Sequence, residues 1–162
     1  MHITWLSTPI FRNAGRTDAI LGIDEFGTWF VRLNEPVPAD SNQGAMFLLP
    51  LMQDGYGGTL QTARGRIIAA LSDASLPVSR ESTFPYHAPV MIAFRSMPRW
   101  TNWAARWLSE LELSDDDIYA VFVACSNPTI AQDARHTALR KVHEWERTHG
   151  YSFVRPKNST GA

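Results

Sequence analysis

The chain has a single cysteine, Cys125, among its 162 residues. A disulfide within the chain is therefore excluded, and so is any zinc site built from several cysteines. A lone thiol is typical of a protein that is kept in a reducing compartment. We therefore expect a cytoplasmic protein.

Long apolar runs are also missing. No stretch approaches the roughly 20 apolar residues that a membrane-spanning helix needs. Residues 1–5 lack the basic start and the apolar run of a secretory signal peptide. We expect a soluble chain with no membrane partner.

Neither sign of charge dominates. Fifteen Lys and Arg residues face sixteen Asp and Glu residues, and the formal net charge is −1. A nearly neutral chain has no global field that attracts nucleic acid or an anionic membrane. Only Lys141 and Lys157 are lysines. The arginine bias favours bidentate contacts with carboxylates and phosphates, although a GC-rich genome gives the same bias.

Motifs that specify a reaction are absent. No lysine precedes Lys141, and the glycine-rich segment 54–58 lacks the dinucleotide-binding spacing, so a flexible turn is the simpler interpretation. Residues 115–117 lack the pattern of a calcium loop and are predicted to form a polar turn. Cys125 has no marked partner base, which predicts a small buried strand residue. The sequence predicts no metal site, no cofactor and no catalytic residue.

The N-terminal half contains apolar segments between turn signals. Segments 19–24 and 28–33 flank a glycine-containing turn, which is typical of a β-hairpin. Segment 2–6 is a predicted first strand and 45–52 a predicted short strand. Helical spacing of the apolar residues predicts a helix over 59–74. Residues 34–44 and 76–88 are predicted loops.

The strongest pattern lies in residues 89–150. Apolar runs predict strands at 90–95 and 118–125, with a tryptophan-rich helix between them. A long helix is predicted over 128–149, followed by Gly150 as its C-cap and a short strand at 151–154. Strands joined through a helix are normally parallel, and runs without alternation fit strands covered on both faces.

The predicted fold is therefore α/β or α+β. It is a single domain over residues 1–155 with a mixed β-sheet, an N-terminal β-hairpin and a C-terminal β-α-β-α(-β) unit. Residues 156–162 are predicted to be a disordered tail.

An anion site is predicted where the two parallel strands would end. Both strands would lead into helix N-termini, which favour anions, at one edge of the sheet. The predicted ligand-binding residues are Arg95, Ser96, Arg99, Ser126 and Asn127. In the simpler interpretation, Ser96 and Asn127 only cap their helices and Arg95 makes a surface contact.

Two helical stripes are candidates for interaction. Trp100 and Trp103 belong to a tryptophan stripe that predicts either a contact surface or core packing. The long helix carries a basic stripe that would meet an acidic partner or phosphates, or would simply be solvated. The predicted interaction residues are Trp100, Trp103, His136, Arg140, His143 and Arg147.

These features favour a non-catalytic interaction protein with an unidentified protein partner. It would be an inhibitor, adaptor or accessory factor that acts through surface complementarity. The alternative is a small α/β enzyme or ligand-binding domain for a phosphate- or carboxylate-bearing substrate. A weaker alternative is nucleic-acid binding through the basic face of the last helix.

Overall fold

A four-stranded antiparallel sheet is followed by a layer of helices in this computed structural model, which describes residues 1–11, 19–53 and 58–155. The strands, which pair in chain order, are β1 (Ile3–Trp5), β2 (Leu21–Asp24), β3 (Trp29–Arg32) and β4 (Pro36–Pro38). The helices within these ranges are α1 (Asn42–Leu48), α2 (Leu60–Asp73), α3 (His87–Ser96), α4 (Thr101–Leu108), α5 (Asp115–Ala124) and α6 (Gln132–His149). The described residues thus form one small α+β domain.

The turn between β2 and β3 is closed by Asp24. Its Oδ1 atom accepts hydrogen bonds from the backbone N–H groups of Phe26 and Thr28, both at 2.9 Å. Gly27 has a φ of 85°, a conformation that suits glycine. These two strands occupy the segments predicted as the hairpin. Because every strand pair is antiparallel, the prediction of a mixed sheet is wrong.

The outer edge of β4 lacks backbone donors at two positions. The N–H of Ala39, just beyond the strand, donates to the carbonyl oxygen of Trp29 at 2.9 Å, so that side of the chain faces β3. Successive residues of a strand alternate in direction. Pro36 and Pro38 therefore occupy the outward positions, and neither has an N–H to offer.

The segment predicted as a strand at 90–95 lies inside α3. All residues from 88 to 94 are buried. A continuous apolar run is compatible with either a buried strand or a buried helix. The helix forms here because α3 packs against α1, α4 and α5, which together cover its whole circumference. The strand prediction was wrong for this reason.

The second predicted strand, 118–125, lies in α5 except for Cys125, which is its C-cap. Ser114 caps this helix, since its Oγ accepts from the N–H of Asp117 at 3.2 Å. Residues 115–117 therefore form the first turn of a helix, where carboxylates interact favourably with the helix dipole. With both strands replaced by helices, the C-terminal β-α-β-α(-β) unit is absent from the described residues.

Several predicted boundaries also change. The predicted strand at 45–52 is α1 followed by a 3₁₀ turn, Leu49–Met52, because Ser41 caps α1 through the N–H of Gly44 at 3.1 Å. The helix predicted over 59–74 is confirmed by α2. The predicted loop 34–44 contains β4 and the start of α1.

The second predicted loop, 76–88, contains a 3₁₀ turn, Val78–Thr83, and the first residues of α3. The long helix begins at Gln132 instead of 128, and it ends at Gly150 with a φ of 61°, as predicted. Residues 151–154 do not form the predicted strand. Residues 54–57 of the glycine-rich segment and the predicted tail 156–162 lie outside the described residues.

One contiguous hydrophobic core joins the sheet to the helices. Trp107 of α4 is fully buried within it. Its indole N–H donates to the carbonyl oxygen of Gly58 at 3.0 Å, so this large ring is buried without leaving its polar atom unpaired.

At two helical glycines, Gly44 and Gly65, substitution by alanine is expected to change the stability of the protein in opposite directions. At Gly44 a Cβ atom would collide with the backbone of Pro38 and would lie 2.9 Å from the Cα of Ala39. We expect Gly44→Ala to lower the free energy of unfolding by about 1–3 kcal/mol, because backbone must shift. At Gly65 in α2 nothing lies within 4 Å of the place that a Cβ would take. We expect Gly65→Ala to raise the free energy of unfolding by about 0.5–1 kcal/mol.

Urea denaturation of the two variants beside the wild type measures both effects. Equal changes in the two variants would contradict the close packing of α1 against the end of β4.

Candidate interaction surface

The basic stripe predicted on the last helix lies on the solvent face of α6. His136, Arg140, His143 and Arg147 are all exposed, whereas the opposite face of the helix is buried. At about 100° per residue, the four side chains fall within an arc of about 60°. They span about 16 Å along the helix axis. The structure therefore brings these four predicted residues together.

The arginines of this stripe have few partners within the protein. Nη2 of Arg140 donates to Oγ1 of Thr137 at 3.3 Å. Among the described residues, no carboxylate lies within ion-pair distance of Arg140 or Arg147. Both guanidinium groups are available to an external anion.

A surface depression of about 750 Å³ connects the stripe to the segment after α6. Its lining comprises Arg140, His143, Glu144, Glu146, Arg147, Gly150, Tyr151, Ser152 and Arg155. Three of the predicted interaction residues thus share a concave surface with an exposed tyrosine and with Arg155.

Glu146 holds the segment after α6 in place. Its Oε2 atom accepts from the backbone N–H of Phe153 at 2.9 Å, and its Oε1 atom accepts from Nη2 of Arg155 at 2.7 Å. The Glu146 carboxyl is buried. The hydrogen bond from Arg155, followed by that from the Phe153 backbone, lowers the pKa of Glu146 below its ordinary value of 4.5.

An aromatic cluster surrounds Phe153. Its ring lies almost parallel to that of Phe122 on α5, with centroids 4.9 Å apart, and to that of Trp145 on α6 at 5.3 Å. Tyr119 and Tyr151 also contact it, at 5.9 and 5.1 Å. The segment is thereby packed onto both helices.

Apolar side chains remain exposed around this cluster. Tyr119 and Val123, one turn apart on α5, are each 55% exposed, and Tyr151 and Val154 are 52% and 90% exposed. Single exposed apolar residues are ordinary, but neighbouring ones often mark an interaction site. Sequence reasoning missed this rim because it placed 118–125 and 151–154 in strands. The four-residue spacing of Tyr119 and Val123 was the available signal.

The predicted anion site loses its geometric basis. Arg95 and Ser96 end α3, and Arg95 pairs with Asp117 at 3.2 Å. Arg99 is exposed in a 3₁₀ turn, Pro98–Trp100. Ser96 is the last residue of α3 and lies neither at a strand end nor at a helix N-terminus, so the prediction that it caps a helix is wrong.

The other half of that predicted site lies at the far end of α5. Ser126 and Asn127 follow the C-terminus of α5. Ser126 is nine residues after Asp117, which lies in the first turn of α5 and pairs with Arg95. The separation along the helix is about 13 Å. Asn127 does not cap α6; its Oδ1 atom accepts from the N–H of Thr129 at 3.0 Å in a local turn. The structure does not bring the two sets together.

The remaining predicted residues are placed in packing roles. The rings of Trp100 and Trp103 lie 5.4 Å apart and pack, half-buried, against the core. Cys125 follows the last turn of α5, so the prediction of a strand residue is wrong. Its thiol donates to the carbonyl oxygen of Val121 at 3.3 Å, and burial raises its pKa to about 11. An activated nucleophile needs the opposite shift.

Within the described ranges, no three His, Cys, Asp or Glu residues are arranged to hold a metal ion. The helices seen there also lack the combination of length and apolar character that crossing a membrane requires. Comparison with protein-family models, curated proteins and solved structures gives no significant match. The surface on α6 is accordingly interpreted from its geometry alone.

The Glu146 carboxylate and its hydrogen bonds from Phe153 and Arg155 form a clamp, and this clamp predicts that stability depends on pH. Because the folded-state pKa of Glu146 is lowered, its contribution is complete above the unfolded value of 4.5 and is lost as the pH falls through the lower folded value. Glu146→Gln should lower the free energy of unfolding at pH 6 by about 1–2 kcal/mol, or a few degrees in Tm. This difference should shrink towards pH 3.

Melting curves from pH 6 to pH 3 measure the effect. Glu144→Gln is the matched control, since the side chain of Glu144 is exposed and makes no hydrogen bond within the described residues. Parallel curves for the wild type and Glu146→Gln would contradict the clamp.

Proposed function

We propose that this chain is a non-catalytic interaction protein that binds an acidic protein partner through α6 and the segment after it. It would serve as an inhibitor, adaptor or accessory factor. One observation carries the proposal: the exposed arginines of α6, which have no carboxylate partner among the described residues, share a depression with an exposed tyrosine. Arginine and tyrosine are enriched among the residues that dominate binding energy at protein interfaces.

The chemistry of this surface supports an acidic partner. Arg140 and Arg147 offer planar forks that bind carboxylates in bidentate geometry, and His143 lies between them. Tyr151 adds an apolar ring with a polar end. The stripe is about 16 Å long, which matches three turns of an acidic helix. The expected partner is therefore an acidic segment that also carries an apolar side chain.

The other two functions have less support. Nucleic-acid binding would use the same face of α6, but the net charge of −1 and the exposed apolar rim favour a protein. An enzyme or binding domain for an anionic substrate needs Arg95 and Ser126 in one site, and they lie at opposite ends of α5. A cytoplasmic location is part of the proposal and rests on the single free thiol.

Charge reversal tests the proposal. We expect a labelled helical peptide rich in Glu and Leu to bind the protein, with an affinity that falls about five- to tenfold in Arg140→Glu and in Arg147→Glu. The reason is that each change replaces attraction by repulsion. Arg99→Glu reverses the same charge on an exposed residue of the Pro98–Trp100 turn that does not line the depression, and it should leave the affinity unchanged.

Fluorescence anisotropy provides the affinities, and melting curves establish that each variant is folded. Equal affinity of the peptide for the wild type and all three variants would show that α6 is not part of the interface. If a single-stranded oligonucleotide binds more tightly than the peptide, with an affinity that falls steeply as salt rises, nucleic-acid binding replaces this proposal.

A further inference from the structure

The pocket that receives Phe153 is built mainly by α5 and α6, although Tyr151 of the segment itself also contacts the Phe153 ring. Tyr119 and Phe122 come from α5, and Trp145 comes from α6. The carboxylate of Glu146, also on α6, lies beside these rings and holds the Phe153 backbone. Aromatic walls and an anionic group thus form a groove between two helices, and the segment 151–155 occupies it.

Two alternate residues of that segment, Phe153 and Arg155, contact the groove. Phe153 is buried among the rings, and Arg155 pairs with Glu146 and lies 5.6 Å from the ring of Phe122. Ser152 and Val154, before and between them, are exposed. Alternate contacts are how extended peptides are recognised, because successive side chains point in opposite directions. The segment forms no helix or strand of its own.

The groove also extends beyond the segment that fills it. Tyr119 and Val123 continue the apolar surface along α5 and are left half-exposed. A longer ligand would cover them. Removing the segment exposes the Glu146 carboxylate and takes away the hydrogen bonds that it accepts from Phe153 and Arg155, and a ligand with a cation restores a charge-assisted pair there. The favoured replacement therefore carries a cation.

We propose that this groove binds an extended peptide of a partner protein in which an aromatic residue precedes an arginine by two positions. Residues 151–155 are a built-in competitor that a partner displaces. The tethered segment competes at an effective concentration of the order of millimolar, so the partner must contribute further contacts, which the rim on α5 offers. This inference does not rest on the arginines of the basic stripe on α6, which carry the proposed function, although displacing residues 151–155 also moves Tyr151, which lines the same depression.

The test uses the full chain and a labelled peptide with the sequence of residues 150–155, Gly-Tyr-Ser-Phe-Val-Arg. The double variant Phe153→Ala/Arg155→Ala removes both side chains that fill the groove. We expect the peptide to bind this variant at least about tenfold more tightly than the wild type, as measured by fluorescence anisotropy. Peptides with Ala in place of Phe, or in place of Arg, should lose about tenfold in affinity.

A second measurement covers the case in which the double variant does not fold. The single variant Arg155→Ala changes an exposed residue, and NMR titration of it and of the wild type with the peptide follows the indole N–H of Trp145. The Trp145 resonance should move in both proteins, at lower peptide concentration in Arg155→Ala.

Three results would overturn the inference. The first is no binding to either variant at millimolar peptide. The second is binding that ignores the replacement of Phe or Arg in the peptide. The third is a wild-type dimer, seen by light scattering, that Arg155→Ala dissociates; the groove would then belong to the exchanged segment of a second copy. Because charge reversal on α6 leaves the groove intact, failure here is distinguishable from failure of the proposed function.

Discussion

The burial of α3 on all sides is the constraint on which the other helices depend. Seven consecutive residues of α3 are buried, so each side of this helix must be covered by another element. α1, α4 and α5 provide that cover, and α6 then packs on α4 and α5. α3 therefore positions α4 and α5, and these two helices determine the direction in which α6 presents its basic stripe.

The parts of the fold that local chemistry determines were predictable. A glycine-containing turn between two apolar runs indicated the hairpin, and the spacing of apolar residues indicated α2. α3 and α5 were not, because a run that is apolar at every position carries no period. In α5 the deciding signal was local after all: Ser114 with three following aspartates is typical of a helix N-terminus. In α3 only the tertiary packing decides.

One part of the candidate surface was predictable from the sequence and another part was not. The stripe from His136 to Arg147 follows from helical spacing within one segment and could be predicted from it. The aromatic cluster could not, because Phe153 reaches the rings of α5 only after Gly150 reverses the chain. The anion site failed for a related reason. Its residues had been placed by the strand connection, and once α5 replaces a strand, Arg95 and Ser126 lie at its two ends.

The two prolines of β4 affect how the protein behaves at high concentration. An open sheet edge normally offers a row of donors and acceptors on which a further strand assembles, and this is a common start of aggregation. At the β4 edge the outward donors are missing, because Pro36 and Pro38 occupy both positions. The sheet cannot be extended by full strand pairing on that side. At high concentration, copies of this chain are thereby hindered from fibrous assembly through the β4 edge.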